Sequence, residues 1–130
     1  MWHQLVENTK ALETIYGGAP PSLDDVMLIE IALLHGGECR LRFDTTRLPH
    51  PLPAKWQQAE VNTVQIELLL TGATLHAAGP LGNFAQGSIV LEECNHERQL
   101  IFLSGGEKLF SIRATALLLT RVSGYSNGVD

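Results

Sequence analysis

The sequence predicts a mainly β, α+β fold: an antiparallel sandwich or strongly curved sheet of about seven or eight strands, with one N-terminal helix packed on a face or end. Three observations predict it. After Val26, apolar residues recur at every second position through most of the chain. Clusters of glycine, proline and asparagine interrupt those runs at short intervals. Apolar residues at helical spacing occur only near the start, where Leu12, Ile15 and Tyr16 stand at i, i+3 and i+4. A period of two places alternate side chains on one face of a strand, whereas a period near 3.6 gives one face of a helix.

The helix is expected over Thr9–Tyr16, capped by Asn8 and stopped by Gly17-Gly18. Trp2 and Leu5 extend its apolar face through an irregular first turn. Ala19-Pro20-Pro21-Ser22 then forces an extended connection. In the first strand Met27, Ile29, Ile31 and Leu33 alternate with Leu28, Glu30, Ala32 and Leu34, and the former set is assigned inward. The next has Cys39, Leu41 and Phe43 inward and Arg40, Arg42 and Asp44 outward. A two-residue Gly-Gly loop between them would set Ile31 against Arg42. A three-residue loop, His35–Gly37, instead pairs Leu33 with Cys39, Ile31 with Leu41 and Ile29 with Phe43, with Glu30 opposite Arg42. The three-residue loop is therefore predicted.

Residues 45–62 read as a long loop punctuated by Pro49, Pro51 and Pro53, a pattern that opposes helix and central strand alike. Thr63–Leu70 follows, with Val64, Ile66, Leu68 and Leu70 inward and Thr63, Gln65 and Glu67 outward. Gly72 leads to a short strand at Thr74–Ala77, and Gly79–Asn83 forms a turn-rich break. Further strands are expected at Gly87–Glu92, Arg98–Leu103 and Lys108–Ala114. An odd loop of three or five residues about Gly105-Gly106 would pair Phe102 with Phe110 and Leu100 with Ile112. A final strand, Ala116–Val122, precedes a polar tail at Ser126–Asp130.

The chain of 130 residues fits one domain, taken as residues 1–130. Nine Lys and Arg stand against fourteen Asp and Glu, a formal charge of −5. That balance opposes non-specific nucleic-acid binding, which needs cations against phosphates. The acid is uneven: Glu7, Glu13, Asp24, Asp25 and Glu30 face only Lys10 in the first thirty residues. No basic-then-apolar leader opens the chain, and no apolar run is long enough to span a bilayer. With Cys39 and Cys94 the only cysteines, a reducing cytoplasm is the expected setting.

His3, His35, His50, His76 and His96 share no ligand spacing, and Cys94-Asn95-His96 supplies a single local pair where a structural zinc needs four ligands. There is no nucleophile elbow, and Cys39 reads as a small buried hydrophobe. Glu92 and Glu93 point to opposite strand faces, while Asp24-Asp25 after Ser22 reads as turn chemistry. Gly79-Pro80-Leu81-Gly82 lacks a phosphate-binding context. Neither a cofactor nor an enzymatic role is expected. Trp56 beside Lys55 in the proline loop, and Tyr125 past the last strand, are instead candidate binding anchors. For Trp56 the competing reading is a lid over the open edge of the core.

The ordered pieces Tyr16-Gly17-Gly18, Pro21-Ser22-Leu23, Leu41-Arg42-Phe43-Asp44, Pro53-Ala54-Lys55-Trp56, Asn62-Thr63-Val64-Gln65 and Val122-Ser123-Gly124-Tyr125 resemble the immunity protein 50 family of bacterial polymorphic toxin systems. Gly72–Glu97 matches it least: where members tend to carry a tryptophan after the central strands, this chain has Gly79-Pro80-Leu81-Gly82. The resemblance implies an intracellular antidote that binds a cognate toxin domain, and it transfers no catalytic residue. Asp24, Asp25, Lys55, Trp56 and Tyr125 are the expected contact residues. Two alternatives stay open: a small-molecule site between sheet and helix, and a structural subunit that self-associates, for example as a homodimer, through a sheet edge.

Overall fold

Eight antiparallel strands form one sheet in the computed structural model, which describes residues 2–80 and 86–128. They are β1 Val26–Leu33, β2 Cys39–Thr45, β3 Thr63–Thr71, β4 Thr74–Ala78, β5 Gln86–Cys94, β6 Glu97–Ser104, β7 Glu107–Ala114 and β8 Ala116–Tyr125, with helices α1 Lys10–Tyr16 and α2 Ala54–Gln58. Their order across the sheet is β4-β7-β6-β5-β1-β2-β3-β8. The predicted β class therefore holds.

The sheet bends into two halves, β1-β2-β3-β8 and β4-β7-β6-β5, whose inner faces share one core. Leu41, Phe43, Ile66 and Leu68 line it from the first half, and Leu100, Phe102, Phe110 and Ile112 from the second. The halves meet at two places. β1 and β5 pair only at Val26–Gly87 and Met27–Gln86. At the other, β3 and β8 pass into β4 and β7 around a corner: Thr71 pairs with Ala116, Thr74 with Arg113, and the Thr115 amide donates to the Thr71 carbonyl at 2.8 Å. Strands that switch layers together in this way form a corner between the two halves.

The first hairpin takes the predicted three-residue loop. Leu33 pairs with Cys39, Ile31 with Leu41 and Glu30 with Arg42, and the Leu34 amide closes on the Glu38 carbonyl at 2.8 Å. Gly36 and Gly37, with φ of 79° and 76°, accept the left-handed backbone it requires. One step away the prediction fails: Leu28, not Ile29, opposes Phe43, because a bulge inserts Ile29. An extra residue reverses the in–out parity of everything before it. Met27 and Ile29, assigned inward, are accordingly 41% and 45% exposed. Leu33 keeps its predicted partner but is 75% exposed, since β2 is the one described strand beside it there.

A bulge also resolves the Gly105-Gly106 turn. The loop has two residues, not three or five, as Ser104 pairs with Glu107 and Leu103 with Lys108. Leu109 is then the extra residue, and Phe102–Phe110 and Leu100–Ile112 pair as predicted. The two phenylalanine rings stack with centroids 5.3 Å apart.

In β3 the inward set is right, for Val64, Ile66, Leu68 and Leu70 are fully buried; Thr63, expected outward, stands on the outer face and is covered there. Asn8 does not cap α1. Thr9 is the capping residue and makes no side-chain cap bond, while the Asn8 amide donates to the Leu119 carbonyl at 3.1 Å. Glu7 beside it forms a parallel bridge to Leu118 and covers part of the β8 edge. α1 buries Leu12 and Tyr16, and the Tyr16 hydroxyl donates to the Arg47 carbonyl at 2.7 Å. The long loop is not wholly irregular, because α2 forms directly after Pro53, a position where a missing amide costs a helix nothing. The expected break at Gly79–Asn83 lies mostly outside the described residues.

Candidate functional site

The outer face of the first half, extended onto the start of β5, carries one row that is polar at every position but Met27. Gln86 pairs with Met27, Met27 with Asp44, Asp44 with Gln65 and Gln65 with Ser123, so the row crosses β5, β1, β2, β3 and β8. In the next register toward the end of the sheet, Thr63 pairs with Tyr125. The bulge at Ile29 decides which residues stand here. Without it Met27 would point inward, and Asp44 would face a different side chain.

Asp44 is the centre of this end. It is only 7% exposed, its Oδ1 accepts from Gln65 Nε2 at 3.1 Å, and its Oδ2 accepts from the Tyr125 hydroxyl. The bond to the Asp44 carboxylate, aided by burial, pushes the Tyr125 hydroxyl up from 10.0 to about 12. Asp25 reaches the same place from the other side, its Oδ1 accepting from Gln86 Nε2 at 2.7 Å. Between the two carboxylates lies an open hollow of about 150 Å³, lined also by Val26, Met27, Thr46 and Thr63.

Of the expected contact residues, Asp25 and Tyr125 converge here and the others do not. Asp24 is exposed one residue away, its amide bonded to Ser22 Oγ at 3.2 Å and its carbonyl to the Ser88 hydroxyl. Trp56 lies on the opposite face. A Cβ on Gly124 would fall 2.8 Å from Trp56 Cε2, and Gly124 pairs with the fully buried Val64, so the indole covers the inner layer. Tyr125, the next residue, points away from it. Trp56 is thus half-buried against the core, in keeping with the lid reading, while Lys55 is exposed on α2. Sequence reading missed Asp44, Gln65 and Gln86. Asp44 was assigned outward correctly, and pairing it with Gln65 across β2 and β3 would have exposed the row.

Elsewhere on the same outer face, Glu30 holds Arg40 Nε at 2.7 Å and Arg42 Nε at 3.1 Å. Those two bonds, Arg40 first, draw its carboxyl down from 4.5 to about 2. Burial pushes the Cys39 thiol up, and Cys94 accepts from Arg113 Nη2 at 3.6 Å. Glu93 pairs with Arg98 at 2.9 Å. Among the described residues, no group of three or more His, Cys, Asp or Glu is placed to hold a metal ion. Nor is any helix among them long and apolar enough to cross a membrane. A larger open hollow, about 350 Å³, lies among Trp2, Pro20, Pro21, Leu23, Ile89 and Val90, with Ser22 and Asp24 the polar residues of a mostly apolar lining.

The family model described as Immunity protein 50 matches residues 8–125 of the chain. No curated protein and no solved structure matches the chain.

Proposed function

The chain belongs to the immunity protein 50 family, and from that membership we propose that it neutralises a cognate bacterial toxin domain by stoichiometric binding in the cytoplasm, without catalysis of its own. The observation that carries this reading is a family match running from Asn8 to Tyr125, the length of the described fold. The surface fits the role. It offers acidic and aromatic groups at one end of a rigid sheet, and immunity-type interfaces draw speed and specificity from charge complementarity around a few anchors. Asp24, Asp25 and Tyr125 form the proposed contact at this end, and Lys55 with the exposed rim of Trp56, on the other face, is a separate proposed contact. Occluding the toxin's active site or blocking its approach would suffice for inhibition.

The test is genetic and biochemical together. The toxin domain encoded beside this gene should kill cells when expressed alone and spare them when this chain is co-expressed. The two should co-purify in a one-to-one complex. Survival without complex formation would point to another mode of action, and continued killing would remove the immunity role.

A further inference from the structure

We propose that the hollow between Asp25 and Asp44 receives a single arginine side chain of the toxin. This rests on the immunity reading above and names the chemistry its contact uses. Charge is the first argument. The salt bridges among the described residues join Glu30 to Arg40 and Arg42, and Glu93 to Arg98. Asp25 and Asp44 accept instead from the neutral donors Gln86, Gln65 and Tyr125. Burying a carboxylate as deeply as Asp44 without a counter-ion is costly, and an incoming cation relieves that cost.

Acceptor geometry is the second argument. An ionised carboxylate offers about four lone-pair sites. Asp44 engages two of them and Asp25 one in the bonds described, leaving acceptors on both sides of the hollow. A guanidinium presents donors in a planar fork that addresses two carboxylates together, whereas an ammonium acts as a point charge. A calcium-type cation needs six or more oxygens, and two aspartates do not supply them.

The third argument is the apolar setting. Val26 and Met27 line the hollow, and Met27, 41% exposed, stands beside Asp44 in the sheet. An arginine entering here lays its methylene stem on Met27 and brings its guanidinium between the two carboxylates. Two acids and an apolar floor in one hollow fit a basic anchor residue of a protein partner.

Two measurements on the full chain test this. N-acetyl-arginine amide is titrated against the labelled protein, with the citrulline counterpart as the uncharged isostere. The arginine compound should shift the backbone amides of Met27, Thr46 and Gln86 saturably, and the citrulline compound should not. Equal shifts from both, or none from either, overturn the proposal. Binding to the neighbouring gene's toxin domain is then compared for wild type, Asp25→Asn, Asp44→Asn and the surface control Glu107→Gln. Each aspartate variant should lose about 100-fold in affinity, and the control should match wild type. Wild-type affinity in Asp25→Asn refutes the arginine contact while leaving the immunity role intact. Absence of wild-type binding refutes the immunity role, and the arginine titration still decides what the hollow accepts. Should Asp44→Asn fail to fold, Asp25→Asn carries the comparison.

Discussion

Gly124→Ala tests the placement of Trp56 most directly. The added Cβ would lie 2.8 Å from Trp56 Cε2, 2.8 Å from Val61 Cγ1 and 2.9 Å from Trp56 Cδ2, all closer than a normal carbon contact. Gly124 does not adopt a left-handed φ, so alanine suits its backbone and the penalty is one of packing. Overpacking of this kind costs about 1–3 kcal/mol, offset by about 0.5–1 kcal/mol from a less flexible unfolded chain. The expected net loss is therefore about 1–2 kcal/mol. Trp56→Ala should cost roughly 3 kcal/mol, the low end for a tryptophan, because the ring is only half-buried. In that background two of the three close contacts vanish, and Val61 can turn aside. Gly124→Ala should then be nearly neutral, so the double variant loses about 3 kcal/mol rather than about 5. Urea unfolding followed by far-ultraviolet circular dichroism measures all four proteins. Losses that add to within about 0.5 kcal/mol, or a Trp56→Ala protein as stable as wild type, would refute the packing of the indole over Gly124.

Three further outcomes follow from the polar groups. Glu30 titrates at about 2 in the folded chain against 4.5 ordinarily, so its contribution to stability is complete above about pH 4.5 and disappears as the pH falls toward about 2. Unfolding curves across that window should show the loss in wild type and a flatter response in Glu30→Gln. Tyr16, raised by burial, and Tyr125, raised by its bond to Asp44, should form no tyrosinate well past pH 10, and the stability they lend below pH 10 fades as Tyr125 approaches about 12. Ultraviolet absorbance during alkaline titration reads this, and Asp44→Asn should move the Tyr125 transition back toward pH 10. Finally, a thiol reagent should modify Cys94 in the native protein and Cys39 only on unfolding, since Cys39 is fully buried and Cys94 partly exposed.

Trp56 shows how a sequence reading can leave two roles open for one residue. Its two roles, lid and anchor, were both visible in a proline-stiffened loop. Choosing between them required the partner beneath it, Gly124, which is far away in the chain. Asp25 and Tyr125 were singled out separately, for turn chemistry and for aromatic character. Their convergence is a property of strand neighbours, and no local pattern carries it.

What the sequence by itself determined is whatever depends on near neighbours along the chain. Alternation in Thr63–Thr71 specified a buried face of Val64, Ile66, Leu68 and Leu70, and the sense of the His35–Gly37 loop followed from keeping apolar residues opposite one another. Only the tertiary structure decided the bulges at Ile29 and Leu109, the brief β1–β5 junction, and the pairing of β4 with distant β7. A bulge is one residue whose backbone leaves the ladder, a choice made by packing across the core rather than by the residue's own preference. Because one such residue inverts a strand's faces, it alone sets Met27 beside Asp44 on the outside, and with it the acidic hollow.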